Sequence, residues 1–296
     1  VERGELRLTS LTTYSSHILR YVVPYLRVPL DDVRPSDLEN WKHELVTSYS
    51  ARTARSAWAI GLMALRDGWA EYGLPDPTAR VKGPPGPDDE PGRALSPEEL
   101  KLVLEAAETM GARRYAGIVT LVLGGLRRKE LAHQLRADLD LDGGWLVVSA
   151  PKGKKRRRVP LAGVVVGALK SWLKEAPESD YVWPHARRSG PMPAVGVNRW
   201  VADCAKLAGI AHASPHDLRR TWMTMLERAQ VDRVAIQVMG GHEVGNNRQT
   251  DHYVRPSDGD LRSALKVLEG GLAGGAKADP ASSDAVVDEV EEEEAI

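Results

Sequence analysis

The stretch "KGPPGPDDEPGR", residues 82–93, limits the fold more than any other part of the chain. Five consecutive Gly and Pro residues lead into a run of acids, with no large apolar side chain among them. Such a segment cannot sustain a helix and has nothing to bury. A single core therefore cannot run through it. The chain divides into an N-terminal unit, residues 1–82, a linker, 83–93, and a C-terminal unit, 94–276, with a tail at 277–296. Both units have sizes typical of domains.

The tail, "KADPASSDAVVDEVEEEEAI", holds eight acids and one Lys. Without it the chain carries 39 basic and 33 acidic residues, a net +6 hidden beneath the −1 of the whole. A basic body with an acidic tail suits contact with a polyanion, the tail being solvated and disordered. Cys204 is the only cysteine, which excludes an intrachain disulfide and a cysteine-based metal cage. No apolar run reaches the length of a membrane span, and the N-terminus has no signal-peptide pattern. The expected compartment is the cytoplasm, with no membrane partner.

The N-terminal unit reads as all-helical. Trp58, Leu62, Leu65, Trp69 and Tyr72 recur at helical spacing. "RPSDLENWKHEL" starts a helix at Ser36 or Asp37, and "TTYSSHILRYVVPYL" makes another that bends or ends near Pro24. Arg52 and Arg55 are among the basic residues scattered over these helices. The C-terminal unit opens with "LSPEEL", a capping box with Pro97 at the first helical position. An apolar helix follows around "AGIVTLVLGG". "GWLVVS" and "RRRVPL" then form a hairpin, and helices follow over 163–173, 196–208, 216–229, 231–239 and 257–269. The expected class is mostly α with a small β element.

Four segments of this unit carry chemistry. "GGLRRKEL" puts Arg127 and Arg128 after a Gly pair, with Glu130 one turn on. "APKGKKRRRVPL" gathers six basic residues between positions 152 and 158. "SPHDLRRTWMTML" places His216 one helical turn before Arg219, beside Arg220, while Leu218, Trp222, Met225 and Leu226 give that helix a buried face. A His and an Arg there need an anion, either a carboxylate of the chain or a phosphate. "GGHEVGNNRQTDHYVRP" brings His242 and then Tyr253.

In this order the segments resemble the tyrosine recombinases, or phage integrases. The similarity covers about Leu95 to Leu272, and the hairpin matches position by position, with Lys152 in the place of the family's lysine. Between His242 and Tyr253 the spacing is slightly longer than usual; "GNNRQT" absorbs the difference. Tyr181 fits no family position. The resemblance implies a catalytic domain behind a helical, SAM-like core-site-binding domain, the two forming a C-shaped clamp on double-stranded DNA. It selects Arg127 over Arg128 and Arg219 over Arg220.

The implied catalytic set is Tyr253, Arg127, Lys152, His216, Arg219 and His242, with Glu130 as support. Tyr253 is the nucleophile, the two arginines clamp the phosphate, and His216 takes the phenolic proton. His242 bonds the phosphate, and Lys152 protonates the leaving 5′ oxygen. Arg128, Lys154, Lys155, Arg156, Arg220, Arg52 and Arg55 are expected to contact DNA. The ester energy is kept in a 3′-phosphotyrosine, so no ATP, cofactor or metal is expected; the chain has no Walker motif and no carboxylate cluster for paired metals. Leu261, Leu265 and Leu268 line one face of the last helix; such a face can pack within its own unit, while by resemblance it docks into a neighbouring protomer of a tetramer. An accessory DNA-bending or directionality protein is a further expected partner. No arm-site domain is visible ahead of the first unit, which fits either a short integrase or a chain truncated at its N-terminus. A type IB topoisomerase-like enzyme and an inactive DNA-binding regulator are the alternatives.

Overall fold

The computed structural model describes residues 8–86, 92–149, 156–241 and 256–273. The backbone separates into two compact units, Val1–Pro91 and Gly92–Ile296. The first contains α1 (Leu8–Tyr21), α2 (Pro35–Ser48) and α3 (Ala51–Glu71). α2 begins slightly earlier than its sequence suggests. Pro35 suits the first helical position, and the Asp37 carboxylate accepts from the Arg34 N–H at 2.9 Å.

The core of this unit is aromatic. Trp41 and Trp58 stack with ring centres 4.7 Å apart. Gly61 lets the helices close on them: a Cβ there would lie 2.7 Å from the Trp41 ring. The buried indole N–H groups of Trp41 and Trp69 donate to the carbonyls of Tyr21 and Leu30, so neither ring strands a polar atom. Leu62 and Leu65 pack against this core. Tyr72 does not, contrary to its place in the apolar stripe: α3 stops at Glu71, and Tyr72 is 74% exposed.

The second unit is built around α5 (Ala112–Gly124), in which every residue from Ala116 to Gly124 is buried. A helix apolar on all sides must be surrounded. Its neighbours are α4 (Pro97–Thr109), α7 (Gly163–Glu175), α8 (Ala194–Leu207) and α9 (Pro215–Arg228), with the single turn-and-a-half of α6 (Arg128–Ala132) at its end. The Ser96–Glu99 capping box forms as expected, at 3.0 and 3.2 Å.

The expected hairpin is β2 (Trp145–Val148) against β3 (Arg157–Pro160), antiparallel, with Val148 opposite Arg157. A two-residue strand, β1 (Leu139–Asp140), extends the sheet on the β2 side; it is too short to show a sequence period. α10 (Arg233–Gly240) and α11 (Asp258–Ala273) complete the unit. Leu261, Leu265 and Leu268 of α11 are buried against their own unit beside α9, α10, β3 and α4, the intramolecular one of the two settings the sequence left open. Polar ties hold the helix there: Arg158 bonds Asp258 at 3.0 Å, and Arg158 and Arg262 lie 4.3 and 4.8 Å from the centre of the Trp145 ring.

Candidate active site

The site begins where α5 ends. Gly125 takes the left-handed conformation at φ 59°, and a Cβ there would sit 2.4 Å from Trp222, so only glycine fits. The chain then turns, buries Leu126, and starts α6 with Arg127 as N-cap. The acid three residues on, Glu130, folds back as the carboxylate half of a capping box. It accepts from the Arg127 backbone N–H at 2.8 Å and from Arg127 Nη1 at 2.9 Å. The spacing Arg-x-x-Glu is thus a helix-start geometry that anchors the arginine twice.

Glu130 is buried, its side chain 1% exposed. It is also gripped by a residue that sequence reasoning did not single out. Arg157 of β3 sends Nη1 and Nη2 to the two carboxylate oxygens at 2.9 and 2.7 Å, a fork-on-fork pair. Burial alone pushes Glu130 up; the hydrogen bonds and charge of Arg157, with the N–H and guanidinium of Arg127, outweigh it and hold the carboxyl below its ordinary value.

Arg219 enters from α9, where Ser214 caps the helix and Pro215 opens it. It is 3% exposed and donates to the carbonyls of Gly125 and Gly240. Burial, then the nearby charge of Arg127, lowers Arg219 to about 10, with Glu130 opposing and Arg157 adding to the shift. The cluster therefore holds more positive charge than its one carboxylate neutralises: three guanidiniums around Glu130, a surplus of two. Arg127 is 43% exposed and presents that surplus to solvent.

Three successive carbonyls at the end of α10 order these cations. Met239 O accepts from Arg157 Nε at 2.7 Å, Gly240 O from Arg219, and Gly241 O from Arg127 Nη2 at 3.0 Å. Helix C-terminal carbonyls lack intrahelical donors and carry partial negative charge, so cations settle there. Gly241 is left-handed at φ 64°, and a Cβ would come within 2.7 Å of Arg157 Nη1, which explains the glycine directly before His242.

Of the other expected residues, His216 is exposed on the first turn of α9, one turn before Arg219. Arg128 is exposed at the start of α6. Arg220 is half-buried with its guanidinium against Gly92, and Asp217 lies 3.9 Å away. Arg156 remains 65% exposed but is hydrogen-bonded to the buried Asp138. Arg52 and Arg55 are exposed on α3 of the other unit. Tyr253, Lys152, Lys154, Lys155 and His242 lie outside the described residues.

A signal for Arg157 was present in the sequence. Strand side chains alternate, so Arg157 shares a face with the apolar Val159, while Arg156 and Arg158 point the other way. The Met239–Gly241 carbonyls had no signal, because backbone acceptors leave none in side-chain chemistry. Among the described residues, no group of three or more His, Cys, Asp or Glu side chains could hold a metal ion, and no helix is long and apolar enough to cross a membrane.

Fold and site together define a mostly helical domain that carries a preformed cationic cradle on a small sheet and two helix ends. Residues 93–259 match the Phage integrase family. The tyrosine recombinase XerA of Thermococcus kodakarensis is 31% identical over 257 residues, covering 84% of this chain and 88% of that protein. A structure of the Tn1549 transposon integrase in complex with circular intermediate DNA superposes with a TM-score of 0.69 at 19% identity, covering 89% of this chain and 95% of that one. A lambda integrase dimer bound to a COC′ core site gives 0.69 at 19% identity, covering 87% and 94%. The chain belongs to the phage integrase family, the tyrosine recombinases, a class of enzymes that break and rejoin DNA.

Proposed function

We propose that this protein recombines double-stranded DNA at specific core-type sites through a covalent 3′-phosphotyrosyl intermediate, integrating or excising phage or prophage DNA. The observation that carries the reading is the surplus of two positive charges fixed around Glu130, with Arg127 presented to solvent. A phosphodiester repels nucleophiles and gains charge in its pentacoordinate transition state. Guanidiniums held in advance stabilise that state at roughly 3–4 kcal/mol per donor.

In this mechanism Arg127 and Arg219 hold the non-bridging oxygens and His242 bonds one of them. The phenolic oxygen of Tyr253 attacks phosphorus while His216 takes its proton. The P–O5′ bond breaks, and Lys152 gives its proton to the departing oxygen. A free phenol has a pKa near ~10, so both the base and the surrounding cations are needed at neutral pH. Attack by a different 5′-hydroxyl reverses each step, restores the diester and releases Tyr253. No bond energy is lost, and neither ATP nor a metal enters the scheme.

Residues 94–276 carry this chemistry, and residues 1–82 bind the core site. The linker 83–93 joins them, and the acidic tail 277–296 stays off the DNA. Arg128, Lys154, Lys155, Arg156, Arg220, Arg52 and Arg55 supply backbone contacts, Arg156 doing so from its anchor on Asp138. Assembly into a tetramer through exchange of the last helix requires α11 to leave the packing of Leu261, Leu265 and Leu268 on its own unit. An accessory DNA-bending or directionality protein sets the direction of exchange.

The test is to trap the protein on a library of nicked duplexes and sequence the attached DNA end. A 3′-linked adduct in the wild type, absent in Tyr253→Phe, is the expected result. No adduct, or one that survives Tyr253→Phe, overturns the reading. Strand exchange between two recovered sites, set against relaxation of a plasmid carrying one, separates a recombinase from a relaxing enzyme.

A further inference from the structure

Arg157 is the one member of the cradle with no role in the proposed chemistry. Its side chain is only 8% exposed, so it cannot be a surface contact. Its guanidinium nevertheless joins three segments. It forks onto Glu130 of α6, its Nε donates to Met239 O at the end of α10, and its backbone lies in β3. Glu130 in turn holds Arg127 by backbone and side chain, and Arg127 donates to Gly241 O, the residue before His242.

The exchange of partners is closed. Arg157 and Arg127 share the same carboxylate and bind carbonyls two residues apart on one helix end. If Arg157 is removed, Glu130 loses two of its hydrogen bonds, and among the described residues of the cradle only Arg127 still hydrogen-bonds it. The Glu130 carboxylate can then rotate, and Arg127 is pulled toward it and away from solvent. The glycine at position 241 points to the same constraint, because any side chain there would displace the Arg157 guanidinium.

We propose that Arg157 is a positioning residue for strand cleavage: by locking Glu130 between α6 and the end of α10, it sets where Arg127 meets the scissile phosphate. The inference rests on the phosphotyrosyl reading above. It also separates three adjacent arginines by function. Arg156 and Arg158 are exposed and paired with Asp138 and Asp258, and only Arg157 reaches the cradle.

Full-length Arg157→Gln and Arg157→Lys are compared with wild type for DNA affinity and for the single-turnover rate of adduct formation on a nicked duplex. Each duplex carries either a normal phosphate or a methylphosphonate at the cleaved position. DNA affinity should stay within about twofold. Cleavage of the phosphate should slow by about ten- to a hundredfold, the scale expected when a reacting group is misplaced by about an ångström. Lys should not restore it, since an ammonium cannot fork onto a carboxylate. On the methylphosphonate, which lacks the charge Arg127 neutralises, the penalty should largely vanish. A merely structural role would cost the same on both linkages, and that result, or wild-type rates in both variants, overturns the proposal. If the glutamine variant does not fold, the lysine variant carries the same comparison. A wild type that forms no adduct with either duplex refutes the phosphotyrosyl reading itself, and the positioning role with it.

Discussion

Arg52 and Arg55 of the first unit are exposed on one long helix, above a core made of stacked tryptophans. Arg157 and Arg219 of the second are almost wholly buried, each fixed by carbonyl or carboxylate acceptors. The same side chain meets two demands. A cation that tracks a DNA backbone works through long-range charge, needs no fixed geometry, and costs little while hydrated. A cation that stabilises a transition state must be in place beforehand, and holding it there requires desolvation and compensating acceptors. The acceptors used here are one carboxylate and the carbonyls at the ends of α5 and α10, fewer full charges than the cations they hold, and this leaves the site cationic.

That contrast can be broken most directly at the nucleophile. Tyr253→Phe should abolish the covalent adduct while leaving electrophoretic mobility shifts on DNA unchanged; any residual adduct assigns the chemistry to another group. Next in size is Arg127→Ala, expected to slow cleavage by about 10²–10³-fold at saturating DNA. A comparable loss from Arg52→Ala under the same conditions would erase the distinction between the two kinds of arginine.

Glu130→Ala leaves the buried Arg157 facing no carboxylate and should destabilise the protein by about 3–5 kcal/mol in denaturant titrations. The milder Glu130→Gln probes the same pair through pH. The folded-state carboxyl titrates below its ordinary value of 4.5, so the unfolded chain takes up the proton first as pH falls. The stabilisation is complete above that ordinary value and is lost as pH drops through the folded-state one. Glu130→Gln should flatten this acid-side slope, and an unchanged slope would show that the pair adds nothing to folding.

The smallest effects belong to the first unit. Arg52→Ala and Arg55→Ala should each alter stability by no more than about 0.5 kcal/mol. Each should lower the slope of log affinity against log salt by about 1 if the side chain meets a phosphate. A fall in affinity with no change in slope would point to a base or packing contact instead.

Much of this protein is legible residue by residue. The helix start at Ser96 follows from cap chemistry, and the hairpin follows from β-branched runs on either side of a basic stretch. The backbone divides between Pro91 and Gly92, inside the Gly- and Pro-rich stretch 82–93. These are local properties, set by dihedral preference and by hydrogen bonds within a few residues. The pairing of Arg127 with Glu130 belongs with them, because a capping box spans only three positions. Tertiary structure decided what no local rule reaches. Strand alternation marks Arg157 as the inward arginine of its run, but its partners come from the packing of β3 on the end of α10, where three carbonyls collect three arginines from distant segments. It likewise placed the apolar face of α11 on its own unit, since a stripe of leucines specifies burial but not the surface that provides it.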